Sequence, residues 1–200
     1  MTEQEFFARI KNDVIKDMKE SGILASLTAS QAYCESAHGS SGLTQKANNL
    51  FGMKGSYNGQ YVTMKTKEYV NGKYITINAA FRKYPDWLSS IKDHSSLFNR
   101  LDRYKNLRGL KDYKLACRYV REDGYATSPT YTTTLLNIIE RFKLYEWDLL
   151  DPEPVPVDEE LDAAVTVIAK RVISGAFGVG HETRKDKIYE LIRSKVNAII

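Results

Sequence analysis

The chain has 200 residues, 42% of them hydrophobic, which suits one packed domain of about 150 residues with a small appendage and excludes a disordered chain. Its 29 Lys and Arg face 25 Asp and Glu, unevenly: residues 1–150 hold 22 basic and 16 acidic side chains, residues 151–200 hold 7 and 9. The mild positive field favours polyanions without choosing among them. The basic residues are too dispersed for a nucleic-acid-binding helix, and no stretch approaches the roughly 18 apolar residues of a membrane span.

Phe6, Phe7, Ile10, Val14, Ile15 and Met18 fall on one helical stripe, and Gly22 supplies a stop for that first helix. A second helix is expected from about Ile23 to Ser36, with Leu24, Leu27, Ala32 and Cys34 among small residues and Gly39 as its terminator. A short helix, Gly42 to Ala47, precedes the turn Asn48-Asn49-Leu50-Phe51-Gly52. From Tyr57 to Tyr84 the pattern changes to β-formers around the turn signal Asn71-Gly72, which predicts a small antiparallel lobe. Helical periodicity resumes with Trp87, Leu88, Ile91, Leu97 and Phe98, then Tyr113 to Val120, then Leu135 to Phe142.

The run Asp151-Pro-Glu-Pro-Val-Pro-Val157 carries prolines at alternate positions and reads as an extended spacer, residues 151–157, after a domain of residues 1–150. Residues 158–200 read as helix, glycine-rich turn and helix, too short to stand alone. Cys34 and Cys117 sit in apolar helical stretches and read as small buried hydrophobes; nothing in the spacing demands a disulfide.

Glu35 carries the chemistry. It lies at the end of an apolar helix, beside Tyr33 and Cys34 and before the small residues Ser36 to Gly42. The negative end of a helix dipole and the loss of water both favour a protonated carboxyl. Breaking a glycosidic bond requires such a proton donor near neutral pH. Asn49 and Phe51 bring an amide and a ring, the groups that hydrogen-bond sugar hydroxyls and face a pyranose. The tyrosines of Gly124-Tyr125-Ala126-Thr127-Ser128-Pro129-Thr130-Tyr131 either cap a core or enter a cleft; the residues alone do not decide. Cys34 and His38 are four apart, but Gly39 interrupts the helix and no third ligand is evident, so no metal site is expected.

The strings Ser30-Gln-Ala-Tyr-Cys-Glu35-Ser-Ala-His-Gly-Ser-Ser41 and Lys46-Ala-Asn-Asn-Leu-Phe-Gly-Met-Lys54 resemble the autolysin and phage-endolysin glucosaminidases, glycoside hydrolase family 73. Thr66-Lys-Glu-Tyr69, Ala80-Phe-Arg-Lys-Tyr84 and Gly124-Tyr-Ala-Thr127 with Pro129 and Tyr131 follow in the same order, so the resemblance covers about residues 3–148. It implies an α+β, lysozyme-like fold, mostly helical with a small antiparallel β-lobe along a groove. The implied activity is that of a peptidoglycan hydrolase, an endo-β-N-acetylglucosaminidase cutting between N-acetylglucosamine and N-acetylmuramic acid without a cofactor. Glu35 takes the family's general acid and Glu68 its proposed second carboxylate. The substrate's N-acetyl group is the alternative nucleophile. Tyr125 joins them at the cleft, with Asn49, Phe51 and Tyr131 as substrate-binding residues.

Two positions depart from the family: His38 stands where relatives usually carry Trp, and Ser128 where they usually carry Asp. Residues 158–200 resemble, faintly, the short helical wall-binding repeats of phage lysins; an oligomerisation helix pair, giving a homo-oligomer, is the equal alternative. Met1 to Lys19 lacks the apolar core of a signal peptide, so the expectation is a phage or prophage endolysin made in the bacterial cytoplasm and acting on the wall after release. Lytic transglycosylation and non-catalytic wall binding are the competing functions.

Overall fold

The computed structural model describes residues 1–70 and 73–151. Side chains at 67–70 and 74 lie outside that description, as do the expected Asn71-Gly72 turn, nearly all of the 151–157 spacer and the 158–200 module.

Six α-helices and one hairpin are described: α1 (Glu3–Ser21), α2 (Ala25–Ser36), α3 (Gly42–Ala47), β1 (Tyr61–Val70), β2 (Lys73–Arg82), α4 (Trp87–Arg100), α5 (Tyr113–Glu122) and α6 (Tyr131–Arg141). Two 3₁₀ helices, Asp102–Leu107 and Leu144–Leu149, were not foreseen. The expected stripe of α1 is buried at all six positions. A Thr2–Glu5 capping box starts the helix and a left-handed Gly22 ends it. Only glycine suits that position, since the φ there is +75° and the backbone of Gly109 approaches closely, its N–H donating to the Gly22 carbonyl at 2.9 Å.

α2 is the axis of the domain. Every residue from Ala25 to Ala32 is buried, because α1, α5, α6 and the second 3₁₀ helix pack around it. Its small residues, Ala25, Ser26, Ala29, Ser30 and Ala32, let those neighbours approach. Its start has no cap of its own; the Asp148 carboxylate takes the Ser26 N–H at 2.9 Å and the Ser26 hydroxyl at 2.7 Å. That contact closes the N-terminal end of α2 from far along the chain.

The helix begins two residues later than the periodicity suggested and ends at Ser36. Its left-handed terminator is Ala37 rather than Gly39. Ala37, His38 and Gly39 are all left-handed, at φ 51°, 45° and 79°. Gly39 is needed for space as well, since a Cβ there would sit 2.6 Å from Met1 Cε and 2.8 Å from Trp87 Cη2.

The hairpin pairs antiparallel from Tyr61 opposite Arg82 to Val70 opposite Lys73. Its base is tied to the helices by polar joints. Arg82 Nη1 pairs with Asp93 at 2.5 Å, and the Tyr84 hydroxyl donates to the same carboxylate at 2.6 Å. Of the two thiols, Cys117 is buried and Cys34 partly so; both are free.

Candidate active site

Glu35 is the point at which the buried helix α2 emerges: Gln31 and Ala32 are buried, Tyr33 and Cys34 partly so, and Glu35 is exposed. It opens onto a groove of about 510 Å³ lined also by Phe51, Met53, Leu97, Arg103, Tyr104 and residues 124–128. A second concavity of about 380 Å³, around Arg9 and Trp87, has no carboxylate in its lining. Of these two, the first holds the carboxylate.

The side of the carboxyl away from water is crowded. That burial raises its pKa, and the opposing effect is a single hydrogen bond, from the Tyr131 hydroxyl to Oε1 at 3.0 Å. Tyr131 is 8% exposed and is aimed by Gln31, whose Nε2 donates to its oxygen at 3.1 Å. The network thus runs from α2 to the start of α6 and back to α2. Cys34, next to the acid, has its thiol pushed up to about 11 by burial and by the Glu35 charge, so it is no nucleophile at neutral pH.

Tyr125 stands in the groove lining, its ring stacked near Tyr131 with centroids 6.0 Å apart. The two tyrosines that the residues alone left undecided divide the roles: Tyr131 faces the acid from a nearly buried position, and Tyr125 lines the groove. Phe51 also lines it, 6% exposed. Asn49 does not present its amide to the groove. It is 1% exposed, and its side chain donates to the carbonyls of Met53 and Arg82, both at 2.9 Å, and accepts the Met53 N–H at 3.0 Å. The expected sugar contact is replaced by a joint that ties the groove floor to the hairpin base. Glu68 is placed on β1, opposite Ile75; its side chain lies outside the described residues.

Of the two departures, His38 packs its ring against Tyr33, with centroids 5.7 Å apart. Ser128 bonds Thr130 through its hydroxyl at 3.0 Å, while its carbonyl accepts from Arg121 Nε at 3.0 Å. The Tyr125 loop is therefore pinned through Arg121, without an aspartate. Sequence reading missed His94 altogether, a fully buried histidine of α4 whose Nε2 lies 3.2 Å from the Tyr125 hydroxyl. It also missed Arg103, a cation at the groove whose guanidinium lies 4.7 Å above the Tyr104 ring. Among the described residues no group of three His, Cys, Asp or Glu is placed to hold a metal ion.

Residues 11–144 match the glucosaminidase family, described as mannosyl-glycoprotein endo-beta-N-acetylglucosaminidase. The exo-glucosaminidase LytG of Bacillus subtilis (strain 168) is 43% identical over 141 residues, covering 68% of this chain and 50% of that protein. An autolysin of Enterococcus faecalis is 33% identical over 153 residues, 72% of this chain and 21% of its own length. The chain thus spans half or less of these relatives. Among solved structures, the catalytic domain of the autolysin Auto from Listeria monocytogenes superposes with a TM-score of 0.68 at 34% identity, covering 72% of this chain and 86% of that one. The glycoside hydrolase domain of Salmonella typhimurium FlgJ, C-terminally truncated, gives 0.61 at 28% identity over 71% and 98%. The lysozyme-like, mostly helical architecture with its two-stranded antiparallel sheet is shared with these structures. From the matched residues 11–144 and these likenesses, the chain belongs to the glucosaminidase family.

Proposed function

We propose that this chain hydrolyses peptidoglycan, cutting the β-1,4 bond between N-acetylglucosamine and N-acetylmuramic acid with Glu35 as general acid. The observation that carries the reading is the Glu35 carboxyl in its groove, raised in pKa by burial and held by Tyr131. A carboxylic acid whose pKa is raised holds its proton to higher pH than a free one and can give it to the departing sugar oxygen as the bond breaks. Glu68 is the proposed second carboxylate, activating the water that attacks the anomeric carbon; the substrate's acetamido oxygen is the alternative nucleophile. Phe51 and Tyr125 supply apolar faces on which a pyranose ring rests.

The names of relatives differ on which bond is cut: one is an exo-glucosaminidase and others are probable N-acetylmuramidases. Mass spectrometry of fragments from purified peptidoglycan decides it. The expected products end in reducing N-acetylglucosamine. Reducing muramic acid ends contradict the proposed bond, and anhydro-muramic ends replace hydrolysis by transglycosylation.

A further inference from the structure

His94 is a buried polar group whose placement the fold alone does not explain. Its ring lies flat on Phe51, with centroids 3.8 Å apart and planes 10° from parallel, and meets Phe98 edge-on at 4.6 Å. A phenylalanine of similar shape would fill that space. The histidine instead sets Nε2 3.2 Å from the Tyr125 hydroxyl and leaves Nδ1 buried with no partner. Leaving a buried polar atom unpaired is costly, and the hydrogen bond at the other nitrogen is what the histidine gains in return.

The tautomer follows from the same geometry. Burial keeps the ring neutral, its pKa pushed down to about 3, so it carries one proton. A buried N–H without an acceptor is rarer and worse than a buried lone pair without a donor. The proton therefore sits on Nε2 and is donated to the Tyr125 oxygen, while Nδ1 keeps its bare lone pair. A phenol that accepts from the protein on one side has its own O–H free for the other. Tyr125 itself lines the groove that holds Glu35.

We infer that His94 is a positioning residue: as the Nε2–H tautomer it turns the Tyr125 hydroxyl into a hydrogen-bond donor aimed into the groove beside Glu35, toward an oxygen of the sugar at the scissile bond. This inference rests on the hydrolase reading above. It gives α4 a part in the chemistry although His94 touches no substrate.

Two measurements on the full chain test it. Two-bond ¹H–¹⁵N correlation spectra of the wild type between pH 5 and 8 should show one histidine with a protonated Nε2, a bare Nδ1 and no titration. A protonated Nδ1, or an imidazolium in that range, overturns the inference whether or not any variant folds. Kinetics on a soluble peptidoglycan fragment supply the second arm. His94→Phe keeps the stack and should lower kcat by about 10²- to 10³-fold with KM within about twofold, the scale of losing one oriented donor. Tyr125→Phe should lose a similar factor, and the double variant no more than Tyr125→Phe alone. Multiplying losses, or a His94→Phe enzyme as fast as an active wild type, contradict the coupling. A wild type that releases no sugar ends instead removes the hydrolase reading, with the tautomer still decided by the spectra.

Discussion

The Tyr131 hydroxyl donates to Glu35 Oε1 across 3.0 Å, and it is the hydrogen bond that opposes the rise in pKa that burial gives the acid. A donor to the carboxylate favours its charged form. Removing it with Tyr131→Phe should therefore raise the Glu35 pKa further. Since the proposed general acid works protonated, the alkaline limb of the pH profile of kcat/KM should move to higher pH, by about one unit for one lost charge-assisted bond. A limb that stays in place or moves to lower pH contradicts this account of the site.

A second acid is buried with no part in the groove. Asp17 of α1 is 2% exposed, accepts from Ser95 Oγ at 2.5 Å and Ser21 Oγ at 3.2 Å, and is pushed up by burial to about 6. Its folded pKa lies above its unfolded one. The stability this group contributes is therefore fully present below the ordinary 3.8 and lost as pH rises through about 6. Asp17→Asn should stabilise the protein at pH 8 by about 1–3 kcal/mol and make little difference at pH 3.5. Urea unfolding across that range checks it; a gain that is constant with pH would assign the effect elsewhere.

Asn49 makes an opposite prediction to that of a sugar ligand. Asn49→Ala removes three hydrogen bonds and takes the acceptor from the Met53 N–H in a part-buried joint, while the Met53 carbonyl keeps the Arg82 N–H at 2.9 Å. The expected loss is about 2–4 kcal/mol of stability. Unchanged unfolding with a raised KM would return Asn49 to the substrate.

The turn after the acid should tolerate no side chain at Gly39. In Gly39→Ala the new Cβ meets Met1, Trp87 and Phe6 at a φ of +79°. The expected cost is about 1–3 kcal/mol, read as a lowered urea midpoint with an unchanged slope. A neutral substitution would mean that this turn rearranges freely.

Much of this was legible in the residues. The Phe6 to Met18 stripe is periodic because one face of α1 lies against the core, and the buried set is the expected one. The alternating β-formers announced the hairpin, and Glu35 could be placed at a helix end from the small residues that follow it. What stayed hidden depends on long-range pairing. His94 occupies a position in an apolar helical pattern, and its partner Tyr125 is 31 residues away. The backbone partners of Asn49 could not be read from the residues, because the amide chemistry that suits a sugar hydroxyl suits a backbone carbonyl equally. Gly39 was read as the helix terminator, yet the left-handed turn starts two residues earlier, at an alanine whose φ no local pattern announces.

In the proposed reaction one carboxyl, that of Glu35, delivers the proton that breaks the glycosidic bond. The direct measurement is the rate at which purified Glu35→Gln releases soluble sugar ends from bacterial walls, beside wild type and with folding verified by circular dichroism. A loss of about 10² to 10⁴ in rate is expected, since the amide keeps the shape and surrenders the proton. Wall cleavage at the wild-type rate would contradict it.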